Sequence, residues 1–181
     1  MISVTAIGET TGSGPVCRDG AKVDDMVLVT GTLGGSILNK HLDFTPRVHE
    51  TMCLHRDFQL HAATDISDGL AVDLSHIVEE SDLGVVLDRG SIPISGDAVR
   101  LGRQVNDSRT ALCHALSDGE DFELILVMPP QDAERVVRSQ PFSVPVTRIG
   151  RVVEEVGLWW GDEKGARTPL EITGYEHLGS S

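Results

Sequence analysis

Ala63-Thr64-Asp65-Ile66-Ser67-Asp68-Gly69-Leu70 runs without a break into Ala71-Val72-Asp73-Leu74-Ser75-His76-Ile77-Val78. Leu70, Leu74 and the Ile77/Val78 pair recur at helical spacing, so an amphipathic helix begins directly behind an acidic turn. Ser67 or Asp65 is a suitable N-cap for that helix, and Gly84 stands where a terminating glycine would. Asp65 and Asp68 thus sit at the mouth of a helix, one turn apart. As caps they complement the helix dipole and need no further role. As two carboxylates crowded onto one short turn, they call for a cation. A hard ion such as Mg²⁺ takes one or two protein carboxylates and fills its shell with water and phosphate oxygens.

Upstream, Ile2–Gly8 reads as a strand, followed by a loop of small residues and the turn Arg18-Asp19-Gly20-Ala21-Lys22. Met26–Thr30 reads as a second strand running into Gly31-Thr32-Leu33-Gly34-Gly35-Ser36. A glycine loop after a strand invites a phosphate, but no Gly-Lys-Ser/Thr or dinucleotide fingerprint accompanies it. Thr45-Pro46 opens a helix expected to reach about Ala62. His49, His55 and His61 are six apart, off one helical face, and read as surface residues.

Downstream, Val85–Asp88 is a short strand, and residues 96–109 read as irregular or weakly helical. A second acidic cluster, Asp118-Gly119-Glu120-Asp121-Phe122-Glu123, leads into the apolar run Leu124–Met128, a strand buried on both faces. A helix over Gln131–Ser139, a strand over Val144–Val153 and a hairpin built from Gly157–Gly161 and Ala166–Ile172 follow. The whole is an α/β layered sandwich with a mixed sheet and packed helices, in a single domain spanning residues 1–181.

The net charge of −13, from 28 acids against 15 bases, argues against a nucleic-acid or anionic-membrane surface. It leaves a nucleotide open, because bound metal ions invert the local field. Three scattered cysteines without a Cys-x-x-Cys or a His-rich cluster read as buried or inert thiols in a reducing compartment. With no run of 18 apolar residues, the chain is expected to be soluble and cytoplasmic.

Several stretches, in order along nearly the whole chain, resemble the C-terminal half of the thiamine-monophosphate kinase family. They are Arg18-x-Gly20-Ala21-Lys22, Val29-Thr30-Gly31-Thr32, His41-Leu42 with Pro46-Arg47, Asp65-Ile66-Ser67-Asp68-Gly69-Leu70, Gly119-Glu120-Asp121-Phe122-Glu123, Ile149-Gly150 and Gly174-Tyr175-Glu176-His177. That family belongs to the aminoimidazole-ribonucleotide synthetase superfamily, whose C-terminal domain has the sandwich architecture expected here. The resemblance implies phosphoryl transfer from ATP to thiamine monophosphate, giving thiamine diphosphate, with Mg²⁺. It implies Asp65 and Asp68 as Mg²⁺ ligands, Ser67 and Arg18 as ATP contacts, and Glu120 and Tyr175 as substrate contacts, with no protein group as general base. The superfamily's selenophosphate-synthetase-like and aminoimidazole-ribonucleotide-synthetase-like enzymes, and a non-catalytic binding module, stand as alternatives.

The family usually has Gly-Gly-Glu-Asp where this chain has Asp118-Gly119-Glu120-Asp121, and an aspartate tolerates positive φ at such a turn. The family's N-terminal half, with its Gly-Asp-Asp and Gly-Gly-Asp metal motifs, has no counterpart here. The 181 residues alone are therefore expected to be inactive and to need that half, or a homo-oligomer partner.

Overall fold

The structure is a computed structural model and describes residues 5, 7–10, 14–105, 107–162 and 164–171. The expected opening strand falls largely outside the described residues, as does Tyr175 with the rest of the tail.

Strands β1 (Met26–Thr30), β2 (Ala62–Asp65), β3 (Gly84–Asp88), β4 (Leu124–Met128), β5 (Val146–Val153), β6 (Gly157–Gly161) and β7 (Arg167–Pro169) form one sheet in the order β2-β4-β1-β5-β3-β6-β7. The β3–β6 pair is parallel and the other neighbours are antiparallel, so the sheet is mixed as expected. Helices α1 (Val48–Asp57), α2 (Leu70–Ser81), α3 (Gly96–Leu101), α4 (Ala111–Ser117) and α5 (Pro130–Ser139) complete the domain.

Alternation along β1 and β4 divides the core. Val27, Val29, Ile125 and Val127 meet Leu70, Leu74, Ile77 and Val78 of α2 on one face, with Ala115 of α4 beside them. Leu28, Leu126 and Met128 meet Leu54 of α1 and Ala133 and Val136 of α5 on the other. Both strands are covered on both sides, which is why they read as unbroken apolar runs. Each fully buried Leu, Ile or Val contributes about 1.5–3 kcal/mol of transfer free energy, and this anchors α2 behind the acidic turn.

Several boundaries differ from the sequence expectation. The helix after Pro46 stops at Asp57, where Phe58 turns extended, because Ala62–Asp65 is drawn into the sheet as β2 alongside β4. The central helix ends at Asp82 in a left-handed conformation, so Gly84 opens β3 instead of terminating α2. Residues 96–101 are helical, capped by Ser95 Oγ on the Ala98 amide, and Thr110 caps α4 through the Cys113 amide. The cysteines are free, but Cys17 is exposed and Cys53 and Cys113 are half-buried, so the expectation of buried thiols is corrected: Cys17 lies ahead of β1, and the other two sit on short helices at the surface of the core. No helix among the described residues is long and apolar enough to cross a membrane.

Candidate functional site

β2 ends on Asp65 at the sheet edge, and the chain then turns through buried Ile66 to Ser67, Asp68 and Gly69 before entering α2. Gly69 occupies the N-cap at φ 106°, a region an L side chain resists, and among the described residues no side chain caps the helix. The expectation that Ser67 or Asp65 caps α2 is therefore corrected. Instead, Oδ2 of Asp73, from the first turn of α2, accepts the Ser67 amide at 2.9 Å and the Asp68 amide at 3.0 Å. Asp65 is exposed and Asp68 half-buried, and neither carboxylate has a hydrogen-bond or ion-pair partner among the described residues. Burial pushes the Asp73 carboxyl up, the two amides pull it back, and Asp68 and Asp65 add to the upward push.

The second acidic cluster lies against this turn. Past the end of the β2–β4 ladder, the Ile66 amide donates to the Glu123 carbonyl (2.8 Å), the Phe122 amide to that of Ile66 (2.8 Å), and the Glu120 amide to that of Ser67 (2.7 Å). A Cβ at position 119 would stand 2.6 Å from the Ser67 carbonyl oxygen, so the close approach requires Gly119. Glu120 and Phe122 take φ 62° and 51°, and Glu120 faces solvent. Asp118, in place of the usual glycine, sits at φ −71°, so the turn makes no demand on it; the positive φ falls elsewhere.

Asp121 and Glu123 point inward and are fully buried. The Gly34 amide donates to Asp121 and the Gly35 amide to Asp118, both at 2.8 Å, and Ser36 Oγ donates to the Gly119 carbonyl. The amides of the glycine loop that invited a phosphate are thus taken by the chain's own carboxylates. Glu123 accepts from Thr30 Oγ1 (2.7 Å), Lys40 Nζ (2.9 Å) and, in a two-pronged contact, Arg47 Nε and Nη2 (2.8 Å each). Burial pushes its carboxyl up, but those donors outweigh it and hold Glu123 below the ordinary range.

Asp121 is less well served. Its Oδ1 has no hydrogen-bond partner among the described residues, and Lys40 Nζ lies 3.9 Å away. Burial pushes its carboxyl up to about 7 against the pull of the Gly34 amide and Lys40, and Asp118 and Glu123 add to the rise. In the unfolded chain an aspartate ionises near pH ~3.9. Between about pH 4 and 7 the folded state therefore binds the extra proton, and Asp121 lowers stability as pH rises through that window. Asp121→Asn is expected to flatten this slope and, at pH 8, to exceed wild type by roughly 1–3 kcal/mol. Urea denaturation at pH 5.5 and pH 8 checks it; a slope unchanged by the substitution would be inconsistent with a buried, underserved carboxylate.

Asp65, Ser67, Asp68 and Glu120 are therefore brought together, on two adjacent segments. Arg18 is not. Its Nη2 pairs with Glu80 at 2.7 Å, in the last turn of α2, and about 15 Å of helix axis separates Leu70 from Glu80. Sequence reasoning missed Asp73, although an acid in the first turn of a helix is a legible signal. It gave no role to Lys40, Asp118, Asp121 or Glu123, whose long-range partners are 76 to 93 residues away.

Among the described residues no group of three or more His, Cys, Asp or Glu side chains could hold a metal by itself. Two free carboxylates are too few for a protein cage, but they suit Mg²⁺, which keeps waters and shares its shell with phosphate.

A mixed sheet with packed helices agrees with the relatives this chain matches. Residues 36–160 match the family described as AIR synthase related protein, C-terminal domain, and the chain belongs to that family. The thiamine-monophosphate kinase of Rhodopirellula baltica is 43% identical over 158 residues, covering 87% of this chain and 48% of the relative. That of Escherichia coli K12 is 34% identical, covering 89% of this chain and 54% of the relative. The crystal structure of the Stenotrophomonas maltophilia K279a thiamine-monophosphate kinase aligns with a TM-score of 0.69 at 29% identity, over 80% of this chain and 52% of that one. AaThiL complexed with AMPPCP and TMP aligns at 0.64 and 27%, over 90% and 54%. E. coli HypE, at 0.70 and 15% identity, shares the fold. The chain spans about half the length of the curated relatives it matches.

Proposed function

We propose that this chain supplies the C-terminal half of an active site that transfers the γ-phosphoryl group of ATP to thiamine monophosphate, forming thiamine diphosphate. The observation that carries the proposal is that the Asp65 and Asp68 carboxylates, expected as caps, have no hydrogen-bond or ion-pair partner among the described residues. A non-catalytic module keeping these acids as caps loses its support with that finding. Phosphoryl transfer needs positioning and charge neutralisation more than covalent chemistry, and an acceptor that is already a phosphate needs no general base. Mg²⁺ shared by Asp65, Asp68 and phosphate oxygens would supply that neutralisation where the chain itself presents acids. Ser67 stands on the same turn for a nucleotide contact. Glu120, exposed beside it, can accept a hydrogen bond from an aminopyrimidine. Tyr175 would give a cation–π face to the thiazolium, worth about 0.5–2 kcal/mol. Arg18, paired with Glu80 at the far end of α2, takes no part at the Asp65–Asp68 turn; contact with ATP phosphates would require it to leave a half-exposed pair worth at most about 1 kcal/mol. The reading places the enzyme in the cytoplasm, where ATP and Mg²⁺ are abundant.

The two carboxylates do not complete a metal site, and Lys40, Arg47 and Arg109 are engaged by Glu123, Asp107 and Asp118. A further half is needed. Ile37, Leu42, Val48 and Met52 are 64%, 78%, 61% and 63% exposed, and Phe44 stacks on Phe122 with ring centroids 4.1 Å apart. This apolar stretch borders the acidic loop and fits a surface that another domain, or a second copy, would cover. In a coupled assay with ATP and thiamine monophosphate, the chain alone is expected to be inactive. Adding a separately produced N-terminal half of the R. baltica relative should restore turnover, and Leu42→Asp with Met52→Asp should abolish that restoration without lowering the melting temperature. Steady turnover by the chain alone, lost in Asp68→Asn, would overturn the half-site reading.

A further inference from the structure

We propose that Asp73 is the positioning residue of the acidic turn: by holding the Ser67 and Asp68 amides on one oxygen, it fixes where Asp65 and Asp68 can meet a cation. The inference rests on the metal–phosphate reading of those two residues.

The geometry is specific. The turn from Asp65 to Gly69 must present two carboxylates outward while its backbone stays in place; Ile66 anchors it in the core, and among the described residues no polar side chain of its own ties it down. On one side it is held by the Phe122 and Glu120 amides, which donate to the Ile66 and Ser67 carbonyls at 2.8 and 2.7 Å. On the other side the restraint is Asp73. Its side chain is buried, 4% exposed, and its Oδ2 receives both amides, at 2.9 and 3.0 Å. Its own amide donates to the Gly69 carbonyl at 3.0 Å, the first bond of α2. Asp73 is thus fixed to the helix by its backbone and to the turn by its carboxylate. Because α2 is seated in the core by Leu70, Leu74 and Ile77, the turn inherits the rigidity of the sheet–helix interface. Without Asp73, two adjacent amides at the mouth of the helix would turn to water and the Asp68 side chain would lose its fixed direction. Outer-shell hydrogen bonds of this kind change metal affinity by about 10–100-fold when removed.

Mn²⁺ uptake in the presence of ATP, followed by water-proton relaxation, separates positioning from ligation. Asp73→Ala should weaken uptake by about 10–100-fold. Asp73→Asn should stay within about threefold of wild type, because its amide oxygen can stand where Oδ2 stands and accept the same two amides. Hydrogen exchange at Ser67 and Asp68 should remain slow in Asp73→Asn and become fast in Asp73→Ala. If Asp73→Ala does not fold, Asp73→Asn decides alone: protected amides with retained uptake support positioning, and protected amides with lost uptake mean that the carboxylate is itself a ligand, which overturns the proposal. Wild-type uptake in folded Asp73→Ala would also overturn it. The Asp65→Asn/Asp68→Asn double variant tests the underlying reading separately, since unchanged uptake there would remove the metal turn altogether, whatever Asp73 does.

Discussion

Glu123→Gln is expected to destabilise the domain by about 2–4 kcal/mol at pH 7. The buried carboxylate is the common acceptor of Thr30, Lys40 and Arg47, and an amide in its place neutralises neither cation. Removing one partner of a buried ion pair commonly costs about 3–5 kcal/mol, because the other charge is left unpaired. The lower range applies here because the Lys40 and Arg47 side chains keep 24% and 17% of their exposure and can partly rehydrate. Adding Arg47→Met to Glu123→Gln should recover part of the loss, since apolar replacement of a whole buried pair is often neutral. Urea denaturation of the single and double variants measures both effects. A loss below about 0.5 kcal/mol, the range of ordinary surface changes, would mean that the network does not bind the glycine loop to the sheet. Because the donors hold Glu123 below its ordinary range, its contribution is present above the unfolded pKa of about 4.3 and disappears as pH falls through the depressed value.

That network also shows where sequence reading stops. β4 and α2 were legible because Leu124–Met128 and Leu70/Leu74/Ile77 carry their own periodicity into the core. β2 was not: Ala62-Ala63-Thr64-Asp65 has no alternation of its own and becomes a strand only because β4 offers a ladder beside it. α3 and α4 are short, and their caps, Ser95 and Thr110, were the only local signals. In the site, Asp65 and Asp68 drew attention by density alone. What tells a cap from an unengaged carboxylate is where the amides go, and that depends on Asp73 reaching back over the turn. Asp121 and Glu123 share the motif with Glu120, yet two face the core and one faces water. The positive φ at Glu120 and Phe122 sets that division, and composition does not carry it.

The second large effect is on binding. The Asp68 carboxylate makes no hydrogen bond or ion pair among the described residues, and it lies beside the like charges of Asp65 and Asp73. Asp68→Asn should therefore leave stability within about 0.5 kcal/mol of wild type, or raise it slightly by relieving repulsion. Affinity should respond quite differently. On the proposed metal–phosphate reading, loss of one of the two carboxylates would remove at least what an outer-shell contact is worth, so Mg-ATP binding should fall by about tenfold or more. Calorimetric titration of Mg-ATP into wild type and Asp68→Asn, with melting temperatures of both, is the direct measurement. At least about tenfold weaker binding by an equally stable variant is the expected result. Unchanged affinity, with stability lost instead, would contradict it and return Asp68 to a purely structural part in the mouth of α2.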